Sequence, residues 1–125
     1  MLFRSFTTFE QRLHLTCASK IRIGVGVTVS YDVMITDIKH SYDDINVRSI
    51  DQTIQTFAIV IEDYCFIGAG AKILPGTELG INCIVGANSV VVGKFPSYSV
   101  IAGNPARIIK KYNHVTKKWD NKVEF

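Results

Sequence analysis

The sequence has no long apolar run, no strong charge of either sign and few cysteines. No apolar stretch approaches the roughly 18 residues of a transmembrane helix, so no membrane span is expected. The net charge is only +3, and Lys and Arg are spread along the chain, so no nucleic-acid partner is expected. The three cysteines have no metal-ligand spacing, and their odd number predicts a reducing, cytoplasmic environment. The N-terminus lacks a long apolar core, and no signal peptide is expected.

What the sequence does contain is a six-residue repeat. Ile, Leu or Val recurs at every sixth position in two runs: Ile23, Val29 and Ile35, then Ile61, Ile67, Ile73, Leu79, Val85 and Val91. Such a period fits neither an α-helix, with about 3.6 residues per turn, nor the simple alternation of a β-strand. It predicts a chain that turns a corner every six residues and stacks each coil on the one before, with the repeating side chain inside.

Interruptions of the repeat divide the single domain of residues 1–125. Residues 1–22 are weakly patterned and are expected to form an irregular N-terminal cap, whereas residues 23–105 form the stack of coils. Between Ile35 and Ile61 about twenty mostly polar residues are inserted, near 37–58, and long loops in compact domains are usually functional or disordered. A smaller excursion is expected at 93–96. Residues 106–125 are a C-terminal tail, for which the sequence leaves a helical and an extended conformation open.

The stacking predicts which side chains are neighbours. In a three-sided coil of roughly eighteen residues, the predicted inward pairs are Ile61 with Leu79, Ile67 with Val85, and Ile73 with Val91. By the same rule Cys65 lies beside Cys83, and the pair is interpreted as two small core residues in preference to a disulfide or metal pair. Apolar residues remain on the outside of the coils, among them Phe66, Ile81 and Ile84, and they favour association with further copies of the chain.

Four strings of residues resemble one known family. They are Ile35-Thr36-Asp37 before His40-Ser41-Tyr42, Ile67-Gly68 before Ile73-Leu74-Pro75-Gly76, Val85-Gly86-Ala87 before Ser89-Val90-Val91, and Ala102-Gly103-Asn104-Pro105-Ala106. In this order the chain is similar to the hexapeptide-repeat acyltransferases, in the branch of maltose and galactoside acetyltransferases and polysaccharide O-acetyltransferases. The resemblance implies an all-β fold, a left-handed parallel β-helix of hexapeptide repeats with an inserted loop and a short C-terminal tail. Its left hand follows from the resemblance alone, because generic crossovers are right-handed.

The resemblance also implies site residues. His40, in the inserted loop, matches the catalytic histidine and is the expected general base. Asp37 and Asp43 are candidates to orient His40, or are solvated loop charges. The backbone N–H of Ala69 is the expected oxyanion donor. Contacts to coenzyme A are expected from Phe66, Ala69, Ala87, Lys94, Arg107 and Lys110, and no metal site is expected.

The implied function is an acetyl-CoA-dependent O-acetyltransferase for a hydroxyl of a sugar, such as a surface-polysaccharide precursor. Acetyl-CoA is a co-substrate, no cofactor is bound, and the enzyme is a cytoplasmic homotrimer with sites between subunits. Open alternatives are another acceptor (serine, an amino sugar or an antibiotic) and a non-catalytic scaffold subunit. A metal-dependent hydratase is disfavoured because it needs three imidazoles. Two departures from the family pattern are Phe66 in place of a usual Trp, and Val92-Gly93 in place of Thr-Lys, for which Lys94 is a candidate substitute.

Overall fold

The computed structural model describes residues 1–121, which are almost entirely short β-strands. The strands are β1 (Leu2–Phe3), β2 (Thr8–Phe9), β3 (His14–Thr16), β4 (Ile21–Ile23), β5 (Thr28–Val29), β6 (Met34–Thr36), β7 (Ile38–His40), β8 (Ile54–Thr56), β9 (Ile59–Ile61), β10 (Phe66–Ile67), β11 (Lys72–Ile73), β12 (Glu78–Leu79), β13 (Ile84–Val85), β14 (Val90–Val91), β15 (Lys94–Phe95), β16 (Ser99–Gly103), β17 (Ala106–Asn113) and β18 (Lys118–Asn121). A short 3-10 helix spans Ser49–Asp51. Within residues 1–121 no helix has the length and apolar character needed to cross a membrane.

Three sheets form the sides of a triangular prism. Sheet A has the order β1-β4-β9-β12-β15, and sheet C has the order β3-β6-β11-β14. Sheet B has the order β2-β5-β10-β13-β16, all parallel, and is extended by the antiparallel strands β17 and β18. The chain visits A, B and C in turn, so it makes four complete coils and a partial fifth. We name the turns between sheets the A–B, B–C and C–A corners.

The repeating side chains point inward and form the core. Their predicted stacking is confirmed by the register of adjacent parallel strands: Ile61 pairs with Leu79, Ile67 with Val85, and Ile73 with Val91. All six are at most 1% exposed. Because burial of one aliphatic side chain contributes about 1.5–3 kcal/mol, these ladders are the main source of stability in the stack.

The two neighbouring cysteines lie at the A–B corner in consecutive coils. Both Cys65 and Cys83 are buried and free. The Cys65 thiol donates to the carbonyl oxygen of Gly80 at 3.1 Å, and the Cys83 thiol donates to that of Pro96 at 3.2 Å. Each sulfur therefore has a backbone partner in the A–B corner of the next coil, which agrees with the interpretation as small core residues.

Residues 1–20 form a first coil of the stack, where an irregular cap was expected over residues 1–22. In the coil register, Phe3 lies beside Ile23, Phe9 beside Val29, and Leu15 beside Ile35. The six-residue step therefore begins at Phe3. A search for Ile, Leu and Val missed it because two of its members are aromatic and because the step from Leu15 to Ile23 is longer than six residues.

The excursion expected at 93–96 is wrong. Lys94–Phe95 is strand β15, which pairs with Glu78–Leu79, so Phe95 is an inward residue of the last coil. The C–A corner before it is short and consists of Val92 and Gly93. Gly93 has a φ of 109°, a conformation that glycine adopts without a steric penalty. The repeat thus shortens at this corner and does not leave the stack.

The C-terminal tail adopts the extended conformation. Strand β17 folds back antiparallel on β16, with Arg107 opposite Ala102 and Lys110 opposite Val100. Strand β18 then pairs antiparallel with β17, so the tail adds a hairpin to sheet B. Residues 122–125 of the expected tail lie outside the described residues.

The insert leaves the stack at the C–A corner of the second coil, near the expected position. Strands β7 and β8 form an antiparallel hairpin in which His40 lies opposite Ile54. The hairpin closes at its base, where the N–H of Phe57 donates to the carbonyl oxygen of Asp37 at 3.0 Å. The chain then resumes sheet A at Ile59, which pairs with Ile21 of the coil below.

Candidate active site

The insert carries the expected general base. His40 ends β7 and is exposed, and its ring has no hydrogen bond to any residue in the described part of the chain. The loop beyond it is braced by Gln52, whose Nε2 donates to the carbonyl oxygens of Asp44 at 2.9 Å and Val47 at 2.8 Å. An imidazole on a braced hairpin, with its nitrogens open to solvent, is accessible to a substrate hydroxyl.

Asp37 has a different role from either one expected of it. Its carboxylate is fully buried and accepts backbone N–H bonds from Ala18 at 2.8 Å, Ser19 at 2.8 Å and Lys20 at 2.9 Å. Burial alone raises the pKa of this carboxyl, but the backbone hydrogen bonds outweigh burial and hold the pKa below its ordinary value. Asp37 therefore joins the first coil to the base of the insert, and it is neither a solvated charge nor engaged with His40.

A groove of about 380 Å³ lies beside the base of the insert. It is lined by Lys39, Phe57, Leu74, Pro75, Gly76 and Val92. Lys39 is the immediate neighbour of His40 on β7, so the groove borders the strand that carries the candidate base. Sequence reasoning missed this groove, although Phe57 offered a signal as the aromatic residue that closes the polar insert.

The expected oxyanion donor lies at the B–C corner. Residues 68–71 form a turn in which the N–H of Ala71 donates to the carbonyl oxygen of Gly68 at 3.2 Å, and Gly70 has a φ of 73°. The carbonyl oxygen of Ala69 accepts the N–H of Asn88 at 2.8 Å, whereas the Ala69 N–H has no acceptor among residues 1–121. That N–H is therefore available to an anionic oxygen.

Close packing explains the small residues around this donor. A Cβ at Gly68 would lie 2.6 Å from the carbonyl oxygen of Val85 and 2.8 Å from the backbone nitrogen of Ala87. Ala87 occupies the same corner one coil later, as expected from the six-residue repeat. The B–C corner consequently presents backbone and methyl groups at these positions.

Two of the expected basic residues line one cavity. Lys94 and Arg107 border a cavity of about 520 Å³ at the C-terminal end of the stack, together with Val92, Gly93, Phe95, Ala106 and Ile108. The Lys94 Nζ also lies 3.7 Å from the carboxylate of Glu78. Both side chains of that pair are exposed, so the pair contributes little, and the ammonium is available to a phosphate.

Phe66 and Lys110 share the outer face of sheet B. Phe66 is 41% exposed and lies in one register row with Ile84, Val100 and Lys110 on successive strands. With about 4.8 Å between strands, the row places Phe66 about 14 Å from Lys110. The face thus has an apolar centre and a basic end.

Comparison with known proteins identifies the repeat. Residues 58–93 match the family model described as bacterial transferase hexapeptide (six repeats). The chain belongs to the hexapeptide-repeat transferase family. Its fold is the left-handed parallel β-helix expected from the sequence, and that expectation is confirmed.

Three relatives show how far the similarity to other hexapeptide-repeat transferases extends. The putative lipopolysaccharide biosynthesis O-acetyl transferase WbbJ of Escherichia coli K12 is 40% identical over 115 residues, which are 86% of this chain and 59% of that protein. A 2,3,4,5-tetrahydropyridine-2,6-dicarboxylate N-acetyltransferase of Clostridium perfringens is 48% identical over 58 residues, 46% of this chain and 25% of that protein. The crystal structure of a maltose O-acetyltransferase from Clostridium difficile 630 superposes with a TM-score of 0.69 and 29% identity, covering 90% of this chain and 64% of that one. The chain therefore spans less than two thirds of the length of each.

One protomer of this hexapeptide-repeat transferase does not bring all the candidate residues together. Ala69 and Ala87 lie at the B–C corner, whereas His40 projects from the C–A corner, and sheet C lies between the two corners. Lys94 and Arg107 lie at the end of the stack. A single substrate cannot contact His40 and the Ala69 N–H of the same chain without crossing the width of a sheet.

Proposed function

We propose that the protein is an acetyl-CoA-dependent O-acetyltransferase that acetylates a hydroxyl of a sugar in the biosynthesis of a surface polysaccharide. The observation that carries this proposal is the exposed imidazole of His40 on a braced hairpin, inserted into a hexapeptide-repeat coil. The name of the Escherichia coli relative, which aligns over most of this chain, supports both the acetyl group and the glycan class. The free cysteines fit a cytoplasmic location.

His40 would act as general base in a direct transfer. A ring nitrogen takes the proton of the acceptor hydroxyl while its oxygen forms a bond to the thioester carbonyl carbon. The carbonyl electron pair moves to oxygen, where the Ala69 N–H donates to it. Collapse of this tetrahedral species re-forms the C=O bond and breaks the C–S bond. The imidazolium then returns its proton to the departing thiolate, so no covalent enzyme intermediate forms.

The site would be completed by a second copy of the chain. The corner positions of His40 and Ala69 support this arrangement, because each residue has an incomplete site within its own protomer. The exposed apolar residues Phe66 and Ile81, at 41% and 40% exposure, offer a surface for the association. A closed ring of three identical prisms satisfies both requirements and gives the homotrimer expected from the sequence.

Coenzyme A would follow the groove between two such copies. Its phosphates would meet Arg107, Lys110 and Lys94, because guanidinium and ammonium groups bind phosphate through charge-assisted hydrogen bonds. The pantetheine arm would pass the small residues Ala69 and Ala87. Phe66 would supply an apolar wall without the indole N–H of a Trp.

A second acceptor class is supported by one comparison. The Clostridium perfringens relative is named an N-acetyltransferase, although its aligned segment covers less than half of this chain. An amine in place of the hydroxyl would use the same base and the same oxyanion donor. We place O-acetylation first because the O-acetyltransferase relatives align over most of the chain.

The test is release of thiol from acetyl-CoA in the presence of a sugar panel and an amino-sugar panel. His40→Ala should lower turnover by about 10²–10⁴-fold, since this is the usual contribution of a positioned base. His14→Ala is the matched control, because His14 is an exposed histidine on sheet C outside the insert, and it should retain full turnover. Light scattering should give the same trimer for all three proteins. Near-normal turnover of His40→Ala, or a fully active monomer, would contradict the proposal, and no turnover with any acceptor would favour a scaffold subunit.

A further inference from the structure

A second cavity lies at the A–B corner, to which the proposed function assigns no residue. It measures about 520 Å³ and is lined by Asn82, Ile84, Tyr98, Tyr112, His114 and Trp119. Asn82 and Tyr98 occupy the A–B corner in consecutive coils, and the N–H of Tyr98 donates to the carbonyl oxygen of Ile81 at 2.9 Å. Tyr112, His114 and Trp119 come from the hairpin of β17 and β18, which folds back on sheet B. The cavity is thus distinct from the corners that carry His40 and Ala69.

The aromatic rings of this cavity form one connected cluster. His114 packs edge-on against Tyr98, with ring centroids 4.7 Å apart at 88°, and against Tyr112, at 5.0 Å and 79°. Trp119 packs against Tyr112 at 5.2 Å and 67°. Such edge-to-face pairs hold one another in place, because the positive edge of one ring meets the negative face of the next. Tyr98 and Tyr112 complete the cluster, with ring centroids 6.4 Å apart and a tilt of 37°. The rings therefore form walls that face the cavity at several angles.

The chemistry of the lining selects the class of ligand. The lining has no Asp, Glu, Lys or Arg side chain and a single histidine, which supplies too few ligands for a metal ion and no permanent cation for a phosphate. The hydroxyls of Tyr98 and Tyr112, the indole N–H of Trp119 and the amide of Asn82 have no hydrogen-bond partner within residues 1–121. These polar groups surround apolar ring faces, which is the usual composition of a site for a neutral organic ring.

A sugar ring fits this composition better than a flat base does. A pyranose has an apolar face of C–H groups that packs on an aromatic ring, and hydroxyls at its rim that match the free polar groups. A nucleobase needs aromatic faces parallel to its own plane, and no ring pair of this cluster is parallel, since three pairs are steep and even Tyr98 and Tyr112 are tilted by 37°. Nucleotides also carry phosphates, for which the lining has no cation.

We propose that the aromatic cavity at the A–B corner binds a neutral sugar ring of a glycan chain. The proposal rests on the proposed function in one respect, since it takes that glycan to be the acceptor. The acceptor is then an oligosaccharide or polysaccharide, held at one residue by the aromatic cavity while another residue reaches His40. A free monosaccharide can occupy only one of the two places at a time.

The protein carries its own reporter for the test, because Trp119 is its single tryptophan. Titration with maltotetraose, chitotetraose and mannotetraose should change the Trp119 emission in a saturable way for at least one of them. Tyr112→Leu keeps Trp119 and the apolar bulk at position 112 but removes one aromatic ring. It should raise the dissociation constant for the oligosaccharide about tenfold, close to the contribution of one aromatic contact. Tyr31→Leu is the matched control, because Tyr31 is 49% exposed and lies outside the cavity. Circular dichroism and thermal midpoints should show that both variants fold.

The KM for the oligosaccharide gives a second readout, which a purely structural role of Tyr112 would not change. With an accepted tetrasaccharide, Tyr112→Leu should raise KM about tenfold and leave kcat unchanged, whereas Tyr31→Leu should change neither. Saturable binding of an oligosaccharide without acetyl transfer would support the sugar site and contradict the proposed acetyltransferase function. Acetyl transfer with no emission change for any oligosaccharide would overturn the sugar site and leave the proposed function intact. A response to adenosine 5′-monophosphate in place of the sugars would also overturn it.

Discussion

Replacement of Ala69 by proline tests the proposed oxyanion donor without disturbing the corner that carries it. Proline lacks the backbone N–H, and at this position the lost N–H has no acceptor among the described residues. The corner accepts the ring, because the next C–A corner has the same turn with proline in the equivalent place. In that turn the Thr77 N–H donates to the carbonyl oxygen of Leu74 at 3.3 Å, Pro75 occupies the position equivalent to Ala69, and Gly76 has a φ of 85°.

The expected result separates stability from catalysis. A proline that matches the native backbone stabilises a protein by about 0.4–1 kcal/mol, so the thermal midpoint of Ala69→Pro should stay or rise. Loss of one oxyanion donor costs about 10²–10³-fold in kcat, or roughly 3–4 kcal/mol of transition-state stabilisation. Turnover should therefore fall by that factor in the thiol-release assay while KM for acetyl-CoA changes little.

Tyr31→Pro is the matched control for this experiment. Tyr31 occupies the same B–C corner one coil earlier, followed by Asp32 with a φ of 58°, and it is not assigned to the site. Its proline variant should retain activity. Mixing inactive Ala69→Pro with inactive His40→Ala should restore part of the activity, because the proposed trimer would then contain some sites with both native residues. Full turnover of Ala69→Pro, or no recovery after subunit exchange, would refute the reasoning.

Three further predictions concern stability. Asp37→Asn should lower the free energy of unfolding by about 2–4 kcal/mol, since an amide cannot accept all three backbone N–H bonds in a buried site. The control Asp43→Asn, at an exposed position, should leave the free energy of unfolding in urea unchanged. Unchanged stability of Asp37→Asn together with lost turnover would instead indicate that Asp37 acts beside His40. Because the pKa of Asp37 is lowered on folding, its stabilisation is present above the ordinary carboxyl pKa and should be lost as the pH falls below it, a loss that Asp37→Asn should not show. Gly68→Ala should destabilise the stack by about 1–3 kcal/mol, because its Cβ would lie 2.6 Å from the backbone oxygen of Val85. Gly86→Ala should destabilise it less, because its Cβ would lie 3.0 Å from the methyl group of Ala102. Equal urea midpoints for the two variants would contradict this packing argument.

The fold was predictable because one physical rule repeats along the chain. An inward aliphatic residue at every sixth position determines the stacking, and the pairs Ile61 with Leu79 and Ile73 with Val91 follow from counting alone. The rule failed where other residues took the same place. Phe3 and Phe95 occupy the inward position of the repeat but are aromatic, and the corner before Phe95 is short, so counting aliphatic residues in steps of six does not find them.

The candidate site was less predictable, because its residues lie at corners and on the insert, outside the regular strands. His40 was predicted to leave the stack, and it does so at the C–A corner. The burial of Asp37 could not be read from its polar surroundings, since its three donors come from the first coil, which was itself expected to be irregular. The aromatic cavity depends on the hairpin conformation of the tail, which the sequence left open.

The closed base of the insert has a consequence for how proteins of this family diversify. Because the hydrogen bond from the Phe57 N–H to the Asp37 carbonyl oxygen closes the insert at its base, the coils above and below stack in the same way whatever the length of the insert. The segment between Asp37 and Phe57 can therefore be exchanged: a shorter or longer hairpin can be grafted between these two residues without a change in the spacing of the coils. New acceptor preferences can then evolve, or be engineered, without redesign of the part that keeps the protein folded.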